Sequence, residues 1–173
     1  MALTKIGKEG ITGISNSANA TAITISADEE VTMPLQPAFM AGPASAITNP
    51  AHDSTITLDS EAFDIGSNFA SNTFTAPVTG KYQLNVVVRL QEIDDAINYT
   101  YVTLKTSNRS YYNIISPTGF DSDMAFLTLT ISVLADMDAN DTAFLTFHYV
   151  GGSQTIDIAN FGNGTVFSGI LVG

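Results

Sequence analysis

The segment that most constrains the fold lies between Asn72 and Leu90, where a turn is followed by a strongly alternating run. Pro77 suits the second position of a tight turn because its ring fixes φ, and Gly80 tolerates the positive φ that closes such a turn. After the turn, aromatic and aliphatic side chains recur at every second residue: Tyr82, Leu84, Val86, Val88 and Leu90. A period of two is typical of a strand with one buried face, and we predict that this strand lies at the centre of a sheet.

The rest of the chain from residue 34 onwards consists of short alternating or apolar segments separated by turn residues. The clearest are 99–105, 126–134, 142–150 and 165–172, and no segment has the period of an amphipathic helix. Many short strands with turn signals between them predict an all-β, antiparallel sandwich or barrel. Since a terminal strand of this kind is commonly held by both neighbours, we expect 165–172 in the middle of a sheet.

The composition excludes several classes of partner and chemistry. With 17 acidic residues against 6 basic ones, the formal net charge of −11 disfavours binding to nucleic acid or to an anionic membrane surface. The absence of cysteine excludes disulfides, thiol catalysis and cysteine-ligated zinc. The first residues lack the apolar run of a signal peptide, so we expect no secretory leader, and no segment is apolar and long enough for a membrane helix.

Residues 1–33 differ from the remainder because small polar residues dominate them. Such a segment buries too little to fold by itself, so we predict an extended N-terminal arm at 1–33 and a head domain at 34–173. The arm is either a loose end or a segment that anchors the head to a neighbouring protein. The apolar residues that would make that anchoring contact are Ile11, Ile14, Ile23, Ile25 and Val31.

Some of the predicted strands are apolar on both faces. In 142–150, Phe144 and Val150 oppose the face that carries Leu145. An antiparallel sheet with one face in water has polar residues on that face, and no helix is predicted that could cover a second apolar face. We therefore expect a neighbouring subunit as the cover, the alternative being a monomer with a few exposed aromatics. The predicted interface residues are Tyr99, Tyr101, Phe144, Phe147, Tyr149 and Phe167.

The sequence contains little that is typical of a catalytic site. Neither His52 nor His148 has a second ligand at metal-binding spacing, so we expect structural roles for both. Asp121 and Asp123 form a carboxylate pair, for which a surface loop is a better interpretation than glycoside hydrolysis. We therefore predict no enzyme activity, no catalytic residues and no cofactor.

The acidic turn at 136–141 is the one candidate for calcium. Its first, third and fifth positions match an EF-hand loop, but Asp141 stands where that loop needs a glycine, and the flanking helices are missing. A solvated hairpin is the simpler interpretation, because Asp and Asn favour turns. If calcium binds, its ligands here are Asp136, Asp138 and Asp141.

Taken in order, these segments resemble the globular head of complement subcomponent q. Residues 37–41 resemble that family's first strand, and 167–171 are similar to its closing strand. Residues 72–82 look like its central signature, an aromatic-Thr-x-Pro turn and a glycine before a tyrosine. The departures are Asn140 for the glycine of a Gly-Asp hairpin and Leu84 for an aromatic. The resemblance implies a ten-stranded jelly roll of the tumour-necrosis-factor type, a compact homotrimer, and binding through exposed loops without enzymatic activity.

The arm carries a second resemblance. Residues 4–7, 10–16 and 20–25 look like segments of virion proteins of marine bacteriophages. This likeness implies a phage virion structural protein, assembled in the host cytoplasm, that acts as a trimeric capsid decoration or short head-fibre protein. Its partners would be its own copies, other virion proteins such as the major capsid protein, and a host surface glycan. The chain carries no heptad or collagen repeat for a long shaft, which favours decoration.

Three other functions are open on the sequence alone. The chain is interpretable as the tip of a tail fibre that binds a host receptor or glycan. It is also interpretable as a secreted bacterial adhesion or ligand-binding module. A carbohydrate-active enzyme is the fourth interpretation, and it would depend on the paired carboxylates.

Overall fold

The computed structural model describes residues 23–28, 30–152 and 156–172. The chain divides into two compact units, Met1–Leu35 and Gln36–Gly173, and each is described by itself.

In the first unit, two short antiparallel strands form a hairpin, β1 Thr24–Ile25 and β2 Val31–Thr32. The Ser26 hydroxyl accepts hydrogen bonds from the backbone amides of Asp28 and Glu30, which fixes the turn between the strands. Two of the proposed anchoring residues, Ile11 and Ile14, lie outside the described residues. The other three, Ile23, Ile25 and Val31, are exposed.

The described part of the second unit is built almost entirely from strands. These are β3 Ala38–Gly42, β4 Ser54–Thr55, β5 Ser60–Ile65, β6 Phe69–Ala70, β7 Thr73–Thr75, β8 Gly80–Ile93, β9 Ile97–Thr106, β10 Ser110–Ile115, β11 Met124–Met137, β12 Thr142–Gly151, β13 Asp157–Ile158 and β14 Val166–Leu171. Within the described ranges the only helical elements are two short 3₁₀ turns, Pro117–Gly119 and Phe161–Asn163. The predicted all-β class is therefore confirmed. No helix in the described part of the chain has the length and apolar character needed to cross a bilayer.

The strands form two antiparallel sheets. The first sheet has the order β11-β8-β14-β3-β5, with β13 paired to β8, and the second has the order β10-β9-β12-β7-β6, with β4 paired to β12. Strands that are distant in sequence lie side by side in both sheets, as in the predicted jelly roll. The sheets pack face to face, and their facing side chains form one hydrophobic core.

The segment predicted as the central strand is β8, which lies between β11 and β14 in the first sheet. Its alternating apolar residues all face the core and are at most 1% exposed: Tyr82, Leu84, Val86, Val88 and Leu90. The closing strand β14 lies between β8 and β3, so the predictions for both strands are confirmed.

Aromatic rings occupy one end of the core. Phe39 stacks on Phe74 with ring centroids 4.5 Å apart, and Phe167 meets Phe39 edge-on at 4.9 Å. Such aromatic pairs contribute about 0.5–1.5 kcal/mol each beyond the area that they bury.

Three of the residues predicted for the trimer interface lie in this core instead. Phe147 and Phe167 are fully buried by their own chain, and Tyr149 is nearly so. Phe147 and Tyr149 share a face of β12 with Leu145, and that face points between the two sheets. Their side chains are therefore not available to a neighbouring subunit, and the prediction was wrong for these three residues.

Candidate functional site

The outer face of the second sheet carries large side chains that the single chain leaves partly in water. They stand at alternate positions of β9, β10 and β12, and the antiparallel register brings them side by side. Tyr101 lies opposite His148 on β12 and opposite Ile114 on β10. We term this surface the tyrosine face, which consists of Tyr99, Tyr101, Tyr112, Ile114, Phe144, His148 and Val150.

The rings of the tyrosine face form an ordered row. The His148 imidazole lies nearly parallel to the Tyr101 ring, with centroids 4.3 Å apart and planes at 12°. Tyr99 is also parallel to His148, at 5.8 Å, and Tyr112 meets Tyr101 edge-on at 5.6 Å. Burial and then the nearby Asp53 carboxylate raise the pKa of the Tyr101 phenol, which keeps it neutral. The face is thus an ordered aromatic surface of the kind that is enriched at binding interfaces.

The structure brings together two histidines that are distant in sequence. His52 and Asp53 lie in the turn before β4, and the pairing of β4 with β12 places this turn beside His148. His148 Nδ1 lies 2.6 Å from Asp53 Oδ1, and His52 Nδ1 lies 3.3 Å from Asp53 Oδ2. The two imidazole centroids are 4.1 Å apart. We term these three residues the histidine cluster, and their contact corrects the sequence-based view that neither histidine has a neighbouring ligand.

The members of the histidine cluster differ in exposure. The His148 side chain is 12% exposed, whereas those of His52 and Asp53 are 48% and 62% exposed. The hydrogen bond with His148 holds the pKa of the Asp53 carboxyl below its ordinary value, so this carboxylate is ionised. His148 Nε2 is buried without a hydrogen-bond partner in the described part of the chain. A shallow depression of about 400 Å³ opens beside the cluster and is lined by His52, Tyr149, Val150, Gly151 and Gly152.

No sequence signal would have found this cluster. The two residues that meet in the 2.6 Å contact are separated by 95 positions, and the strand that joins them, β4, has two residues. A segment that short carries no recognisable alternation.

The side chains predicted as calcium ligands lie in the hairpin between β11 and β12, and they make contacts that hold it. Asp141 Oδ2 accepts hydrogen bonds from the Asp138 backbone amide and from Asn108 Nδ2, both at 2.9 Å. Asp136 pairs instead with Arg109 at 3.5 Å. The ligand-type side chains of the described residues converge within 4.8 Å in two places, and this turn is neither of them.

The second site where ligand-type side chains converge is an acidic group formed by Asp94, Asp95 and Asp123. Asp123 Oδ1 accepts a hydrogen bond from the Asp95 backbone amide at 3.0 Å, and Asp94 Oδ1 accepts one from the Ala96 amide at 2.8 Å. These contacts give the two carboxylates a role in holding the loop after β8. Asp121, the other half of the predicted carboxylate pair, is exposed and is not part of this group.

Another exposed apolar surface lies where the edge strands of the two sheets meet. Phe126 and Leu134 on β11 are each 59% exposed, and Tyr112 and Ile114 on β10 are each 61% exposed. Asn113 Nδ2, on β10, donates a hydrogen bond to a backbone carbonyl of β11 and links the two sheets here. We term these four apolar residues the β10–β11 edge. Phe126 and Leu134 lie on the outer face of the first sheet, and Tyr112 and Ile114 lie on the outer face of the second. Exposed apolar side chains at a sheet edge are typical of a protein interface.

Comparisons with known proteins agree with this architecture. The globular domain of zebrafish complement 1qA protein is similar in structure with a TM-score of 0.57, at 16% sequence identity over 80% of this chain and 98% of that chain. Two structures of murine APRIL, at pH 5.0 and pH 8.5, are similar with TM-scores of 0.54 and 0.55. They are 11% and 10% identical, and each match covers 79% of this chain and 99% of that chain.

The sequence itself was also compared with curated proteins, and none of them matches. The model of the C1q domain family matches residues 38–172, which is most of the chain and nearly all of the two-sheet unit. The chain therefore belongs to the C1q domain family.

Proposed function

We propose that this protein is a trimeric binding head on a phage virion, where it acts as a capsid decoration or short head-fibre protein. C1q-type and tumour-necrosis-factor-like domains commonly form homotrimers that bind ligands, and they are typically not enzymes. The observation that carries the proposal is the β10–β11 edge, where four large apolar side chains remain mostly in water. Covering them with a second copy would be favourable by roughly 25 cal/mol for each Å² of apolar surface removed from water.

The first unit supports an anchoring role. Its β1–β2 hairpin has two residues in each strand and carries exposed Ile23, Ile25 and Val31. A hairpin of this size is marginal in water by itself, so a partner surface would stabilise it. Three arms on one trimer would act together, and a weak contact for each arm would then suffice for firm attachment.

Attachment is tested by sedimentation with particles that lack this protein. The full-length protein should pellet with the particles, whereas a variant that lacks residues 1–33 should remain in the supernatant as a folded trimer. A matched full-length variant, Ile23→Ser with Ile25→Ser and Val31→Ser, should behave like the truncated form. Full occupancy by the truncated form would assign attachment to the head domain, and failure of the full-length protein to pellet would contradict the virion role.

A second candidate function, the tip of a tail fibre that binds a host glycan, is favoured by the tyrosine face. Stacked rings offer flat apolar surfaces beside phenol groups, and the net charge of −11 favours a neutral glycan over an anionic one. An array of bacterial surface glycans should then show binding that Tyr99→Ala removes and Phe63→Ala, on the other sheet, leaves unchanged. Electron microscopy of particles carrying a labelled antibody against this protein separates the two candidates, because the label lies on the capsid in one case and at the tail in the other.

A further inference from the structure

We propose that His52, Asp53 and His148 bind a divalent transition-metal ion of the zinc type. This site does not depend on the proposed function, since it rests only on the histidine cluster. Two imidazoles and one carboxylate are a ligand set that suits zinc and its neighbours, whereas calcium and magnesium prefer oxygen ligands alone. The cluster is thus chemically distinct from the acidic turn at 136–141.

The positions of the ligand atoms fit such an ion. The ligand atoms of the three residues already lie within 4.8 Å of one another. Zinc binds nitrogen and carboxylate oxygen at about 2.0–2.2 Å, so neighbouring ligands of a tetrahedral ion stand roughly 3.3 Å apart. The distance from His52 Nδ1 to Asp53 Oδ2 is 3.3 Å, which meets this spacing without any movement.

The contact between His148 and Asp53 is shorter, at 2.6 Å, because it is a hydrogen bond. An ion would replace the proton between His148 Nδ1 and Asp53 Oδ1. These two atoms would then have to move slightly apart, because the ligands of one ion stand further from each other than hydrogen-bonded atoms do. Asp53 can make that movement, because it is exposed and lies in a turn, with the left-handed φ of 56° that aspartate tolerates. His148 is held by the β12 strand and by the rings packed against it, so it would form the fixed side of the site.

The electrostatics of the cluster also favour a cation. The site contains the Asp53 carboxylate, and the whole chain carries a formal net charge of −11. His52 lines the open depression, so an ion at the cluster is reachable from solvent. Three protein ligands leave a fourth position for water or a ligand atom of a partner.

A bound ion would link the turn before β4 to the edge of β12. Because the three residues come together only in the folded chain, binding would favour the native state and raise its melting temperature as the ion concentration rises. Zinc would therefore act on stability as well as offering a coordination position.

The test uses untagged, full-length protein that has been stripped with EDTA. Calorimetric titration with zinc chloride should show one ion per chain, and cobalt chloride should give the visible absorption of a protein-bound ion. His52→Ala and Asp53→Asn, both at exposed positions, should each weaken zinc binding by at least about tenfold. Asp123→Asn in the acidic group is the matched control and should bind zinc like the unmodified protein. The melting temperature should rise with zinc only in the unmodified protein and in this control.

Three results would each overturn the proposal of a metal site at the histidine cluster. Absence of zinc binding at millimolar concentration would show that the cluster is a hydrogen-bonded contact only. Unchanged binding in both His52→Ala and Asp53→Asn would place the ion elsewhere. Loss of binding in Asp123→Asn would assign it to the acidic group.

Discussion

At the scale of single residues, Gly169 in β14 has no space for a side chain. A Cβ atom there would lie 2.6 Å from Phe39 Cε1 and 2.7 Å from Leu84 Cδ2, both within the packed core. We predict that Gly169→Ala lowers the free energy of unfolding by about 1–3 kcal/mol, measured by urea denaturation. The matched control is Gly119→Ala, since a Cβ at Gly119 meets nothing within 4 Å. Equal stability of the two variants would contradict the packing described for β14.

Tyr82 provides a test of a buried hydroxyl. Its Oη donates a hydrogen bond to the Val78 carbonyl at 2.8 Å, and Tyr82→Phe should cost about 1 kcal/mol of stability at neutral pH. Burial also raises the pKa of the Tyr82 phenol above its ordinary value of 10.0. The neutral phenol is thus favoured in the folded state, so its contribution to stability is full below pH 10.0 and is lost as the pH rises through the folded-state pKa.

The pH dependence separates these two contributions of Tyr82. Tyr82→Phe should lose stability less steeply than the unmodified protein in alkaline solution, although it is less stable at neutral pH. Thermal melts followed by circular dichroism across that range measure both effects. Tyr112→Phe, an exposed position, is the control and should match the unmodified protein at each pH.

At the scale of elements, β8 organises the first sheet. Val86 lies in register with Ile131 on β11 and with Phe167 on β14, and it is 1% exposed. Val86→Asp would bury an unpaired charge at a cost of several kcal/mol, against a total stability of about 5–15 kcal/mol for a domain, so we predict insoluble or unfolded protein. Val87→Asp, on the opposite face of the same strand, should fold. Soluble Val86→Asp with an unchanged melting temperature would show that this face is not the core.

The elements also show what the sequence can predict. Alternation along β8 correctly predicted its buried face and its place inside a sheet. For β14 the sequence predicted only a place in mid-sheet, and it assigned Phe167, which is fully buried, to an interface. Alternation does not say which face of a two-faced strand is buried. The assignment of Phe147 and Tyr149 to an interface failed for that reason, because the face that they share with Leu145 packs inside the sandwich.

The histidine cluster shows the other limit. Its geometry depends on the pairing of β4 with β12, two strands that are separated by most of the head domain's sequence. Neither the turn before β4 nor the alternation of β12 contains information about that pairing. The tyrosine face, in contrast, was partly predicted, since Tyr99, Tyr101 and Phe144 do lie on an outward face.

At the scale of the whole molecule, the β10–β11 edge should control assembly. Phe126→Ser together with Leu134→Ser would remove much of its apolar surface without touching the core, because both side chains point outward. We predict that this double variant keeps its fold, as judged by its circular dichroism spectrum, and dissociates at concentrations at which the unmodified protein is assembled. Phe63→Ser, an exposed residue on β5 at the far edge of the first sheet, is the matched control. Identical assembly of all three proteins would place the interface elsewhere.

We propose that this C1q-type head functions as a homotrimer, and its mass in solution tests that proposal most directly. Light scattering behind a size-exclusion column, on untagged full-length protein at micromolar concentration, should give three times the chain mass of 18.3 kDa. A single peak with the mass of one chain would show that the exposed apolar surface is tolerated in water, and it would contradict the account.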